Sequence, residues 1–454
     1  MPKKVVKFID LFSGMGGIRI GFEQAFKKNG YNTKCVLTSE IKEAAIKAYE
    51  LNFPGEVLEG DVTKIATKDI EDFDFLLAGF PCQAFSVAGK QRGFADTRGT
   101  LFFEVERILR DKKPYGFILE NVEGLVTHDK ENASDKIGRT LSTIIHSLET
   151  MGYEVNWKVL DAKNFGLAQT RNRIYIVGTL KDKISLDNFK KKTKSFGRIQ
   201  ENGLPTVDDT FTQALLAIYQ PQELYGKSIK DKRGGENNIH SWELGIRGQT
   251  TVAEKNLLNR LLKERRKKHW AEVIGIDWMD GMPLTVEQIR TFYDSDQLED
   301  MLQHLLELGY LVYEHPKKKA TITNEDGRSS SERVPDESKP KGYNIVTGKL
   351  SFEFSQILDP LTATPTMVAM DMERVGVVDG NGIRRLTLNE GLALFGYPKK
   401  YSLEIYDTES KRRKAGFDLL GNTVCVPVIQ AVAERVAVSY TNHLESIGGE
   451  KDAK

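Results

Sequence analysis

The chain is poor in cysteine: Cys35, Cys82 and Cys425 are the only three in 454 residues. Three thiols so far apart exclude a disulfide framework and point to a reducing compartment. Net charge is nearly absent too, at +1 from 65 basic and 64 acidic side chains. That excludes a polycation gripping nucleic acid by bulk charge, so such a partner has to meet local basic patches. Four runs qualify: Lys190 to Lys194, Arg265 to Lys268, Lys317 to Lys319 and Lys411 to Lys414. No hydrophobic run approaches a membrane span, and Lys7 and Asp10 interrupt any N-terminal signal core. No membrane partner and a cytoplasmic location are expected. There are no internal repeats. With 40% hydrophobic and 28% charged residues, the composition suits a globular chain of two or three domains.

What is present is a run of short apolar segments, each ending in a chemically distinctive residue. Val5 to Phe12 reads as a buried parallel strand, and Ser13-Gly14-Met15-Gly16-Gly17 follows at once. Ile18 to Lys28 has helical spacing. Strand, glycine turn and helix let a backbone approach a nucleotide-like cofactor at a helix N-terminus. The next strand, Lys34 to Ser39, ends in Glu40, and Val57 to Val62 contains Asp61. Two acids at successive strand ends suit an adenosine, or else cap helices.

Asp74 to Ala78 reads as a fourth strand, ended by Gly79-Phe80-Pro81-Cys82-Gln83. A cysteine at a strand tip, ahead of the polar, glycine-containing loop Val87 to Gly99, is where a thiolate nucleophile would sit. The alternative is a small buried hydrophobe. Leu101 to Arg110 is an amphipathic helix. Tyr115 to Leu119 is a fifth strand with Glu120 at its carboxyl end, where ligands bind in open α/β sheets. Arg171 and Arg173 open a later strand and suit a phosphate or a carboxylate partner.

Beyond Thr179 the α/β rhythm stops. Leu180 to Phe196 reads as a lysine-rich linker, Gln220 to Ile239 as loop, and Ala253 to Trp270 as one basic helix. Residues 282–313 read as helix, turn, helix, strand, a winged-helix-like unit. Acids at the start of its second helix disfavour a phosphate surface. Pro316 to Gly342 reads as a mobile loop. Val426 to Ser439 is a closing helix, with a frayed tail from Gly448.

Taken in order, the blocks FIDLFSGMGG, TSEI, EGDV, GFPCQAFSVAGKQRGF, ENV, QTRNRIYIVG, RRLTLNEGLALFGYP and GNTVCVPV resemble the DNA cytosine-5 methyltransferases of bacterial restriction–modification systems. The resemblance covers roughly 1–178 and 384–440. It implies an α/β fold: a Rossmann-like S-adenosylmethionine-dependent methyltransferase domain with an inserted, mixed α+β target-recognition domain. The catalytic domain would take 1–190 and 384–454, and the recognition domain 191–383.

By the same resemblance, S-adenosylmethionine would be held by Phe12, Gly14, Met15, Gly16, Gly17, Glu40, Ile41, Asp61, Val62, Pro81, Leu101, Asn422 and Val424. Glu40 would take the ribose hydroxyls, Ile41 would pack on the adenine, and Asp61 would accept from its amino group. Cys82 would be the nucleophile and Glu120 would hold the cytosine edge. Arg171 and Arg173 would orient the base. Gln83, Ser86, Lys90, Arg92 and Arg98 would belong to the loop that closes on double-stranded DNA. No metal is expected; a monomer and a companion restriction endonuclease are. The rival readings are a tRNA cytosine-5 methyltransferase and a non-catalytic DNA-binding regulator. The chain departs from the family at Pro360-Leu361-Thr362-Ala363, the nearest match to its usual Thr-Leu pair. It departs again at Asn389, where a basic residue is usual. Both bear on base reading rather than on the chemistry.

Overall fold

The computed structural model describes residues 4–81, 101–132, 134–231, 235, 237–323, 329–347 and 352–452. Cys82, Gln83, Ser86, Lys90, Arg92 and Arg98 lie outside them. Two compact units result: Met1–Glu201 with Asp359–Glu373 and Leu386–Lys454, and Asn202–Leu358 with Arg374–Arg385.

The first unit is built on β1 (Val5–Leu11), α1 (Gly17–Lys28), β2 (Asn32–Ser39), α2 (Glu43–Asn52), β3 (Leu58–Glu59), β4 (Phe75–Ala78), α3 (Leu101–Lys112), β5 (Gly116–Val122), α4 (Arg139–Thr150), β6 (Glu154–Asp161) and β7 (Asn172–Thr179). The sheet order is β3-β2-β1-β4-β5-β7-β6, with β7 antiparallel to both its neighbours. The order reverses at β1, which has β2 on one side and β4 on the other. Such a switch point opens a crevice at the carboxyl ends of the strands. The two faces of β1 explain its composition. Ile9 and Leu11 enter the core shared with α3 and α4, while the Phe8 ring lies 5.0 Å from that of Phe22 on α1. Burial on both faces favours a nearly continuous apolar run. The expected third strand shrinks to Leu58–Glu59, because Asp61 caps a 3-10 turn at Val62–Lys64.

The unit closes with α10 (Leu388–Phe395), α11 (Glu409–Asn422) and α12 (Val426–Asp452). Thr387 and Glu390 form a reciprocal capping box on α10. The last helix runs to Asp452, so the expected frayed tail is helical for most of its length. Residues 409–446 are the one helical stretch among those described that is long and apolar enough to cross a membrane, contrary to the expectation from hydropathy. Much of it is buried: Val428, Ile429, Val432, Ala433 and Val436 are fully inside. A Cβ on Gly21 of α1 would stand 2.7 Å from Ile429 Cβ, so only glycine permits this approach of α1 and α12.

Residues 191–201 and 359–373 fall in this unit, whereas the sequence alone assigns them to the recognition segment. Main-chain bonds explain why. Lys192 N donates to Asn164 O, Phe196 N to Thr362 O and Thr364 N to Ala168 O, each at 2.8 Å. Both segments are thereby stitched to the turn between β6 and β7.

The second unit has two parts. A five-stranded sheet, β16-β15-β14-β8-β9, joins β8 (Ser228–Ile229), β9 (Asn238–Ile239), β14 (Gln356–Ile357), β15 (Val375–Asp379) and β16 (Gly382–Arg385), and α5 (Thr210–Ile218) packs on it. The two short strands β8 and β9 lie in the expected loop Gln220 to Ile239. The other part has α6 (Val252–Glu264), α7 (His269–Ile274), α8 (Val286–Arg290) and α9 (Leu298–Glu307). Then follow β10 (Leu311–Glu314), β11 (Lys317–Thr323), β12 (Ser329–Pro335) and β13 (Gly342–Ile345). β13 pairs with β10 on one edge and meets Leu284 in a single antiparallel bridge on the other. A strand residue, two helices, a strand, a hairpin and a returning strand make the winged-helix order. The hairpin β11–β12 replaces the expected mobile loop. α9 buries Leu298, Met301, Leu302 and Leu305 and exposes Glu299 and Asp300.

The expected basic helix is broken at Arg265 to Lys268, and Arg265 is no surface cation. It is 2% exposed, and its Nη1 donates to Asn344 Oδ1 of β13 at 2.6 Å. Burial pulls its pKa down to about 10. The residue fastens α6 to the small sheet, so it is removed from the candidate DNA contacts. Replacing Arg265 by methionine leaves Asn344 without that donor and should cost about 1–3 kcal/mol. A urea titration should show the lower midpoint, while the salt dependence of DNA binding stays unchanged. The Lys317 to Lys319 patch is neutralised as well. Its ammonium groups lie 3.7, 3.1 and 3.4 Å from Glu314, Asp336 and Asp277.

Candidate active site

The glycine turn leaves β1 at the switch point. Phe12 has φ 54°, Gly14 φ 53° and Gly16 φ 73°. A left-handed phenylalanine is unusual and marks a constrained turn. A Cβ on Gly14 would meet nothing within 4 Å, so backbone there borders open space. A Cβ on Gly16 would strike the Phe53 ring at 2.5 Å. The turn is held from behind by the C-terminal elements. Tyr401 Oη donates to Met15 O at 2.7 Å, and a Cβ on Gly17 would lie 2.8 Å from Val424 Cγ2. Val424 is therefore brought to the glycine turn. Asn422 is exposed and bonds back to Asp418 O at 2.7 Å.

Around this space stand the residues expected for an adenosine. Glu40 accepts from Gly14 N, Ile41 N and Lys42 N, each at 2.8 Å. Three bonds fix the carboxylate and leave it further acceptor capacity. Ile41 is 74% exposed, an apolar side chain without cover. Asp61 Oδ1 accepts from Thr63 N and Oγ1, which lowers its pKa. It does cap a turn, as the alternative reading has it. Val62 is buried beneath, and Leu101 begins α3 against the same core.

Sequence reasoning misses Asp10 and Ser13. Asp10 is completely buried below the turn with both carboxylate oxygens unpaired, and Ser13 Oγ is also unpaired. Burial pushes the Asp10 pKa up to about 8, with the Arg19 charge opposing it. No spacing rule separates Asp10 from a neighbouring strand residue; only burial reveals it.

The second half of the site lies on β4, β5 and β7. Leu119 of β5 is opposite Ala78 of β4, and Val122 is opposite Arg173 of β7. This register brings Glu120 beside the end of β4. A Cβ on Gly79 would lie 3.8 Å from Glu120 Oε2. Asn121 Nδ2 donates to Phe80 O at 3.1 Å, which ties the chain two residues before Cys82 to the strand carrying Glu120. Pro81 is the last described residue of that approach.

Glu120 is 9% exposed, and Arg173 Nε stands 3.3 Å from its Oε1. Burial raises the Glu120 pKa, while Arg173 and then Arg171 pull the other way. The two arginines have different work. Arg173 faces the carboxylate, which resolves the choice between phosphate and carboxylate for that residue. Arg171 is 2% exposed and spends its guanidinium on main-chain carbonyls: Nη1 on Met367, Nη2 on Gly421 and Thr423. It is a positioning residue that fastens the β7 strand start to the α11–α12 junction.

Two of the three thiols are disqualified as nucleophiles. Cys35 and Cys425 are buried, and burial pushes each up to about 12. A nucleophilic cysteine needs the opposite shift. The remaining thiol, Cys82, lies outside the described residues.

A sheet that reverses at β1, a glycine turn at that point and acids on the following strand ends define a Rossmann-like methyltransferase fold. Comparison with known proteins agrees. Residues 6–437 match the family model of C-5 cytosine-specific DNA methylases. The chain is 59% identical over 431 residues to the Type II methyltransferase M.NlaIV of Neisseria lactamica, covering 95% of this chain and 98% of that one. It is 58% identical to M.NgoBV of Neisseria gonorrhoeae, with the same coverage. M.BanI of Aneurinibacillus aneurinilyticus is 42% identical, over 97% of both chains. The solved Entamoeba histolytica methyltransferase EhMeth shares the fold at a TM-score of 0.53 and 16% identity, covering 96% of this chain and 99% of that one. The chain belongs to the C-5 cytosine-specific DNA methylase family, and it is a DNA cytosine-5 methyltransferase.

Proposed function

We propose that the enzyme methylates C5 of a cytosine extruded from a specific duplex sequence, using S-adenosylmethionine and a transient Cys82–C6 bond. The observation that carries this reading is Glu120: a buried carboxyl with a raised pKa, paired with Arg173, beside the strand that leads into Cys82.

The residues around the glycine turn suit the cofactor. Ile41 offers an apolar platform for adenine, Glu40 a fixed acceptor for the ribose diol, and Gly14 room for the ligand. Bound there, the cofactor supplies an electrophilic sulfonium methyl group. Cytosine C5 is too weak a nucleophile to take it unaided. Addition of the Cys82 thiolate to C6 turns the ring into an enamine and activates C5. Negative charge then grows on the ring. A protonated Glu120 donates to N3 and offsets it. Arg173 holds one carboxyl oxygen, which leaves Oε2 for the base. After transfer a solvent water takes the C5 proton, the thiolate is expelled and N3 returns its proton to Glu120, which restores the aromatic ring and the free enzyme. None of this is possible with the base stacked in the duplex, so it has to be flipped out. The second unit would read the sequence, and Type II relatives support pairing with a restriction endonuclease.

The test offers labelled S-adenosylmethionine with duplex DNA and with tRNA in parallel, followed by bisulfite sequencing. Label in one duplex sequence context and none in tRNA is expected. Label in tRNA alone would overturn the substrate assignment.

A further inference from the structure

We propose that a groove on the first unit, lined by Lys163, Lys194 and Arg198, holds backbone phosphates of the DNA strand beside the extruded nucleotide. This rests on the function proposed above and assigns a part of the DNA surface that the sequence motifs do not reach. The groove encloses about 770 Å³, and its lining contains three cations and no carboxylate. Thr193 and Ser195 add hydroxyl donors, and Leu361, 79% exposed, adds an apolar edge. Cations, hydroxyls and a little apolar surface are what a sugar-phosphate chain asks for. Lys194 and Arg198 are exposed and make no ion pair within 4 Å among the described residues. Lys163 lies 3.2 Å from Asp161 Oδ2, but Oδ1 of that carboxylate is already bonded to Lys163 N and Arg171 N.

The position supports a DNA ligand. β6 ends at Asp161, opposite Asn172 of β7, and β5 ends at Val122, opposite Arg173. Asp161 and Val122 are thus two strand spacings apart, about 10 Å. Lys163 follows directly, on the same edge of the sheet as Glu120. A base drawn into the Glu120 site stays bonded to its own backbone, whose phosphates must lie close by.

The test is the double variant Lys194→Gln/Arg198→Gln in the full-length enzyme, with wild-type methylation as the control for the function itself. Both side chains are exposed, so unchanged thermal unfolding is the first check. The plot of log affinity against log salt should become shallower by about 2, roughly 0.9 for each phosphate no longer neutralised. Cognate duplex, from which the base is extruded, should weaken at least as much as unrelated duplex. Lys190→Gln/Lys192→Gln, on the same lysine run but outside this groove, should keep the wild-type slope. An unchanged slope in the first variant, a weakening confined to unrelated DNA, or an equal change in the second variant would each overturn the proposal.

Discussion

Replacing Cys82 by serine should lower methyl transfer by roughly 10⁴-fold or more, since an alcohol at neutral pH supplies almost none of the nucleophile that a thiolate does. DNA binding should persist, because the role proposed for the cysteine is bond formation rather than phosphate contact. The matched variants Cys35→Ser and Cys425→Ser should still transfer methyl groups. Their thiols are buried and pushed up to about 12, so neither is available for attack at neutral pH. Any deficit in those two should appear in thermal unfolding rather than in turnover per folded molecule. Comparable deficits in all three variants would show that the cysteines matter to the fold and not to the reaction.

Glu120→Gln should slow methylation by about 10²-fold or more, which is about 2.7 kcal/mol of transition-state stabilisation. The amide keeps the shape and can face Arg173, but it has no acidic proton for N3. A second readout separates this role from a structural one. Burial raises the Glu120 pKa in the folded enzyme. Between the ordinary carboxylate pKa and the raised one, the native state binds more protons than the unfolded state. Stability from this group is therefore present at low pH and falls as pH rises through that window. Glu120→Gln removes that slope, so the variant should gain on the wild type as pH increases. Activity follows the same proton: the alkaline limb of the wild-type profile should be altered in Glu120→Gln. A variant with wild-type rates and an unchanged pH profile would remove Glu120 from the mechanism.

Much of the first unit is legible locally. The strands β1, β4 and β5 are short apolar runs, and a glycine turn, a cysteine or a glutamate lies at or near the carboxyl end of each. Those signals need no knowledge of the rest of the chain. What depends on distant partners is not legible in this way. Whether Arg173 meets a phosphate or a carboxylate is decided by the antiparallel register of β5 and β7. Arg171 resembles it only because the two are neighbours in sequence. The carbonyls that hold Arg171, on Met367, Gly421 and Thr423, lie about 200 residues or more away. Arg265 has the sequence setting of a surface cation, and only Asn344 of β13 shows it to be a buried donor. The β11–β12 hairpin is hidden by KKK and SSS runs, which blur the period-two alternation of a half-buried strand. Asp10 shows the same limit in one residue: a carboxylate in an apolar strand has no sequence signature of being unpaired and completely buried.

The most direct test presents a duplex carrying 5-fluorocytosine at the target position, together with S-adenosylmethionine. Fluorine at C5 blocks the final proton removal, so a sulfur–carbon bond, once made, should persist. A denaturation-resistant protein–DNA adduct that maps to the peptide containing Cys82, and that is absent from Cys82→Ser, is the predicted result. Folded, DNA-bound enzyme that methylates ordinary cytosine yet leaves no adduct on the fluorinated duplex would contradict the covalent mechanism.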